Sequence, residues 1–241
     1  NMTTKDSIEL ASTLNKIGNL SSRRNSFEKA EINYSDALEL YNSLRSDSPL
    51  NFNPEIAMVL SNLGIVNRKK GDYMRSEGFL IKSLEVRRNL CKVKPSLYEA
   101  DLFQTLNNLG NLYVSMYSDS FDQSLLLKAE GLLAEATQIV RSLNKKTPKV
   151  FVSMLPEVLV NLGRTYRSMQ ELEKAERAYQ EAIEIISDLN KFNPQTYEPV
   201  LATILNNIAN VYADNQNYSL AEEAFMKALE IRRRQVRVDP Q

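Results

Sequence analysis

The chain has 241 residues, 43% of them apolar, and 30 Lys and Arg balance 30 Asp and Glu to a formal net charge of zero. That balance excludes a global electrostatic attraction to nucleic acid or to a membrane surface. Histidine and tryptophan are absent, and without histidine the chain lacks the commonest general base, the commonest metal ligand and the usual partner of a nucleophilic Ser or Cys.

Five copies of one unit follow one another. In the first, over 6–48, Leu14 and Ile17 stand four and one residues before Gly18, on one helical face, and a second helix carries Ala30, Tyr34 and Ala37. In the second, over 49–94, Leu60, Leu63 and Gly64 repeat the first mark, Lys70-Gly71-Asp72 signals a turn, and Ser76, Leu80 and Ser83 repeat the second. The third, over 95–147, opens with Leu106, Leu109 and Gly110, but Ala129 follows its glycine by nineteen residues where Ala175 follows Gly163 by twelve. The seven extra residues lie in 117–127. They amount to about two helical turns, so both helices can lengthen and keep their buried faces. They read as a protruding hairpin tip, either inert or a functional projection. The fourth unit, over 148–193, carries Leu159, Leu162 and Gly163, then Ala175, Tyr179 and Ala182. The fifth, over 194–239, carries Leu205, Ile208 and Ala209, the turn Asp214-Asn215-Gln216-Asn217, then Ala221, Phe225 and Ala228.

The glycine register (alanine in the last copy) recurs at 46, 46, 53 and 46 residues. Proline stands at one register in every copy, as Pro49, Pro95, Pro148, Pro194 and Pro240, and is expected to stop the second helix. Phe52, Tyr98, Phe151 and Tyr197 follow the first four prolines by three residues and are expected to seal the junctions. The glycine is expected to let the two helices approach closely. A fixed period of this length means stacked supersecondary units. The expected fold is all-α: a right-handed α-solenoid, or superhelix, of five antiparallel helix-turn-helix units forming one domain over 6–239.

These marks resemble the tetratricopeptide repeat (TPR), whose first helix carries Leu-Gly and then Tyr, and whose second carries Ala, a large aromatic and Ala before a proline. Leu109-Gly110 with Tyr113, and Leu162-Gly163 with Tyr166, match the first part; Ala175, Tyr179 and Ala182 match the second. The usual unit is about 34 residues, so the helices here are longer, as in the long repeats of kinesin light chains and bacterial TPR arrays. The resemblance implies that the first helices line a concave surface that binds protein.

On each first helix, positions −2, +1 and +5 from the glycine form one stripe. It reads Lys16, Asn19, Arg23; Asn62, Ile65, Lys69; Asn108, Asn111, Ser115; Asn161, Arg164, Ser168; and Asn207, Asn210, Asp214. Asn is a mediocre helix former, and it recurs at −2 in four consecutive units. Each amide offers two donors and an acceptor, which suits the backbone of an extended peptide. The resemblance implies the same use, since kinesin light chains hold cargo peptides with a comparable Asn row. The amides could equally bridge adjacent helices and stabilise the stack, and both roles are compatible. Arg23, Arg68, Lys69, Arg164 and Arg167 bias the surface toward a partner with acidic side chains or a terminal carboxylate, with Asp214 opposing them; a solvated charged face is the plainer account. Only fragments of the Lys/Asn/Asn/Lys/Arg clamp of chaperone-binding TPRs are present.

The remaining clusters read as structural. Arg232-Arg233-Arg234 with Arg237 end the last helix, where cations suit the dipole, and Glu173, Glu176, Glu181 and Glu184 form a solvated face. Cys91, the only cysteine, excludes an internal disulfide and reads as an inert thiol. No phosphate loop or metal-ligand spacing occurs, so no cofactor is expected. The absence of a signal-peptide core and of any ~18-residue apolar run fits a cytoplasmic chain, with an Asn before Met2 that leaves room for a leader. The junction opened by Pro240 leads to no further repeat, which predicts a longer protein or an end covered by a partner.

The function expected is a non-catalytic protein-interaction scaffold holding a peptide or helix, with contact residues Asn19, Asn62, Asn108, Asn111, Asn161, Arg164, Asn207, Asn210, Arg68, Lys69 and Arg167. The alternatives are self-association through the last unit, giving a homo-oligomer, and a regulatory or sensor segment of a larger protein. Neither nucleic acid nor membrane is expected as a partner.

Overall fold

The computed structural model describes residues 3–47 and 52–238, so Pro49 and Pro240 lie outside the described residues, as does the side chain of Arg237. The chain divides into two compact units, Asn1–Leu112 and Tyr113–Gln241. Among the described residues all regular structure is helical: α1 (Thr4–Arg23), α2 (Phe27–Asp47), α3 (Asn53–Lys70), α4 (Tyr73–Val93), α5 (Pro95–Ser120), α6 (Gln123–Lys146), α7 (Pro148–Phe151), α8 (Met154–Ser168), α9 (Leu172–Asn190), α10 (Pro194–Asp214) and α11 (Tyr218–Val238). In the first unit α1 packs on α2, α2 on α3 and α3 on α4; in the second α6 packs on α8, α8 on α9, α9 on α10 and α10 on α11.

Each pair turns on one residue in the left-handed region: Asn25 (φ 56°), Gly71 (φ 82°), Phe121 (φ 56°), Gln170 (φ 62°) and Gln216 (φ 60°). Four of them stand seven residues after the glycine register, and Phe121 stands eleven after it. Phe121 to Ala129 is eight residues where Gln170 to Ala175 is five. The seven extra residues of the third copy therefore lengthen both helices, to 26 residues in α5 and 24 in α6.

The prolines do more than stop the preceding helix. Pro95, Pro148 and Pro194 are the first residues of α5, α7 and α10. Each follows a residue of the same non-helical geometry: Lys94 (φ −140°, ψ 77°), Thr147 (−143°, 75°) and Asn193 (−145°, 78°). A residue before proline is pushed out of the α region, which ends one helix, while the fixed proline φ starts the next. The aromatic three residues on seals one junction fully: Phe52 is buried beside Tyr41, ring centroids 6.1 Å apart. Tyr98, Phe151 and Tyr197 are only half-buried. A break at Val152 and Ser153, absent from the sequence reading, separates α7 from α8. Pro156 lies four residues after Val152, has no N–H for its carbonyl, and its ring crowds it.

In three of the pairs the glycine register brings the two helices together. A Cβ built on Gly18, Gly64 or Gly163 would lie 2.5, 2.5 or 2.6 Å from the side chain of Tyr34, Leu80 or Tyr179, sixteen residues on. Those three partners are fully buried; Phe225, sixteen residues after Ala209, is 39% exposed. The first unit also buries a polar seam. Ser61 and Ser83 hydroxyls are 2.9 Å apart, Ser83 donates to the Ala57 carbonyl, and the buried Arg87 guanidinium donates to the Asp101 carbonyl and the Thr105 hydroxyl.

Gly131 in α6 has open space around its Cβ position. Gly163→Ala should therefore lower stability, because overpacking costs about 1–3 kcal/mol against a helix-propensity gain of about 1 kcal/mol. Gly131→Ala should raise stability by about 0.5–1 kcal/mol. Opposite shifts in urea midpoint check this; equal shifts would refute the contact.

Candidate peptide-binding surface

Packing a second-helix tyrosine beneath a glycine carries its phenol toward the polar edge of the first helix. In the first unit the Tyr34 hydroxyl donates to Asn19 Oδ1 at 2.7 Å. Asn62 Nδ2 donates to Asn15 Oδ1 at 3.0 Å and to Asn19 Oδ1 at 3.4 Å, tying α3 to α1. These groups border a cavity of about 290 Å³ lined by Asn19, Ser22, Arg23, Tyr34, Asn62 and Ile65.

The second unit has a cavity at the same repeat register, about 510 Å³, whose walls include Tyr117, Arg164, Arg167, Ser168, Asn207 and Asp214, with Tyr179 at its floor. Arg164 and Asn19 both stand one residue after the glycine, Tyr179 and Tyr34 sixteen after it, and Asn207 and Asn62 two before the register of the next copy. Arg167 donates to both carboxylate oxygens of Asp214, at 2.5 and 3.3 Å, which holds the guanidinium charged above its already high range.

The expected contact residues therefore divide. Asn19 and Asn62 border the first cavity, and Arg164, Arg167 and Asn207 the second. Asn161 is buried, and Asn111, Asn161, Arg164 and Arg68 each already have a partner. Asn108 is half-buried, and the Asn210 amide donates to the Asn206 carbonyl of its own helix. Lys69 is exposed, its ammonium 5.6 Å from the centre of the Phe27 ring. In the first unit the amides bridge helices and also face a cavity.

Sequence reasoning missed Asn15, Ser22, Tyr34 and Tyr179 as parts of a site. Asn15 lies four residues before Asn19, a spacing that places both on one face. A glycine sixteen residues before each tyrosine marks where its buried ring reaches a cavity floor. Elsewhere, Arg234 pairs with Glu198 and Glu230 at 3.1 Å, and Glu181 with Arg141 at 2.7 Å. Burial, with Glu99 and Asp101 nearby, pushes the Cys91 thiol pKa up, away from the reactive thiolate. Among the described residues, no group of three His, Cys, Asp or Glu side chains could hold a metal, and no helix is long and apolar enough to cross a membrane.

Residues 156–188 and 201–234 each match a tetratricopeptide repeat family model. No curated protein matches the chain by sequence. Its fold is similar to that of BtubC (BKLC) from P. vanneervenii, with a TM-score of 0.75 at 18% identity over 95% of this chain and 82% of that one. It is also similar to the kinesin-light-chain-type TPR-like repeats of Podosopora anserina (0.64, 12%, covering 98% and 99%). A Rap protein complexed with competence and sporulation factor is a third likeness (0.69, 16%, covering 96% of this chain and 55% of that one). With the helix pairs above, these likenesses establish an all-α repeat solenoid.

Burial pushes the Tyr34 phenol up to about 12, against the pull of Arg23, and likewise raises Tyr179 against Arg164 and Arg167. The folded state favours the protonated phenol. Its stabilisation is complete below the ordinary value of 10.0 and is lost as pH rises through about 12. The advantage of wild type over Tyr34→Phe, about 1 kcal/mol at neutral pH from the hydrogen bond, should disappear between those values. Denaturant melts of both proteins across that range check this; a constant gap would contradict it.

Proposed function

We propose that this tetratricopeptide-repeat protein is a non-catalytic interaction scaffold that holds a peptide or helix of a protein partner against its first helices. The observation that carries the reading is the polar cavity at the same repeat register in each unit, floored by a buried tyrosine and edged by Asn19 and Asn62 or by Arg164 and Asn207. Side-chain amides and a guanidinium around such a floor offer donors and acceptors to a peptide backbone, with little demand on its sequence. The Rap complex supports the reading, since its fold accommodates a bound factor.

Wild type and the Asn62→Ala/Asn207→Ala variant, used to capture partners from native lysate with mass-spectrometric identification, test it. The expected result is a partner retained by wild type and reduced at least about tenfold by the variant. The variant's stability should fall by only about 1 kcal/mol, for the lost hydrogen bonds of the Asn62 amide to Asn15 and Asn19. Equal capture by both proteins would remove binding from these cavities.

A second reading, self-association through α11, is favoured by its exposed Tyr218, Phe225, Met226, Leu229 and Val236. An apolar helix face of this kind commonly marks a protein contact. The mass from light scattering should then rise with concentration in wild type and stay monomeric in Phe225→Glu; a constant wild-type mass would count against it.

A further inference from the structure

The two cavities differ in charge. The lining of the first contains Arg23 and no carboxylate. The second contains Arg164, Arg167 and Asp214, with Asp214 closing on Arg167 through both oxygens. The guanidinium fork presented there is the geometry that takes a carboxylate side by side, and it is already filled from within the chain.

We propose that the Asp214 carboxylate is a stand-in for a ligand carboxylate, so that the second cavity binds an acidic peptide by exchanging Asp214 for a glutamate, aspartate or C-terminal carboxylate on Arg167. The pair is built to exchange. Its side chains remain 40% and 33% exposed, and ion pairs in contact with water contribute little net free energy. Asp214 is the last residue of α10, where the helix dipole opposes a negative charge, so the internal acid is a weaker partner than the same group elsewhere. Asn207, Ser168 and the Tyr117 hydroxyl on the cavity wall can donate to the second oxygen of an incoming carboxylate. The internal acid raises the threshold for binding: a ligand must outcompete it, and a peptide without a carboxylate gains nothing from Arg167.

This inference rests on the scaffold reading, but the two fail separately, since capture from lysate does not depend on the charge of a chosen probe. Fluorescence anisotropy at low salt with labelled hexaglutamate and hexaglutamine peptides tests it. Asp214→Asn should bind hexaglutamate about tenfold more tightly than wild type and leave hexaglutamine unchanged. The gain should vanish in Arg167→Gln/Asp214→Asn. Glu173→Gln makes the same charge change on α9 outside the cavity, where its carboxylate is 87% exposed, and should give no gain. The proposal is overturned if Asp214→Asn binds hexaglutamate no more tightly than wild type. It is equally overturned if Glu173→Gln reproduces the gain, or if the gain survives loss of Arg167. Unchanged helicity and melting of Asp214→Asn would confirm that each comparison is made between folded proteins.

Discussion

The closest approach of the two helices in a pair is set by a hydrogen atom. Where the first helix carries Gly18, Gly64 or Gly163, the side chain sixteen residues on occupies the space a Cβ would fill. Tyr34, Leu80 and Tyr179 are fully buried as a result. The last pair has the methyl group of Ala209 at this register, and Phe225 is left 39% exposed. The site depends on the same contact. A ring slid under a glycine buries its carbons in the pair while its hydroxyl reaches the polar edge, as Tyr34 does on meeting Asn19.

Two backbone devices keep that contact in phase. Within a pair, a left-handed residue at a constant distance from the glycine returns the chain at the same point, and glycine itself is used only at Gly71. Between pairs, proline keeps the preceding residue out of the helical region, in one repeated geometry, and then starts the next helix. The longer third copy moves its turn out to Phe121 without losing the small residue, since Ala129 remains fully buried.

Much of this was legible in the residues because it is local. Leu-x-x-Leu-Gly, the small-large-small stripe and the proline register each follow from helical periodicity or a fixed dihedral. The helix break at Val152 is local too, and its sign is Pro156, four residues on. The candidate site was harder to read, because its partners lie a whole repeat apart. Asn62 finds Asn15, forty-seven residues away, and Arg167 finds Asp214 at the same separation. A stripe read along one helix shows which side chains share a face, and not which neighbour each has already engaged. Asn161 illustrates the limit: it holds the same register as Asn62 and Asn207 and is buried.

Floor and wall draw on different positions of the repeat. The floor is a tyrosine locked under a glycine by sterics, while the wall positions common to both cavities are those one, four and five places after the glycine and two before the next. Wall side chains already vary between the two cavities, Asn19 against Arg164 and Ser22 against Arg167, above the same kind of floor. Recognition can therefore drift with little change in folding free energy, so a duplicated unit inherits a ready-made niche whose chemistry is free to diverge.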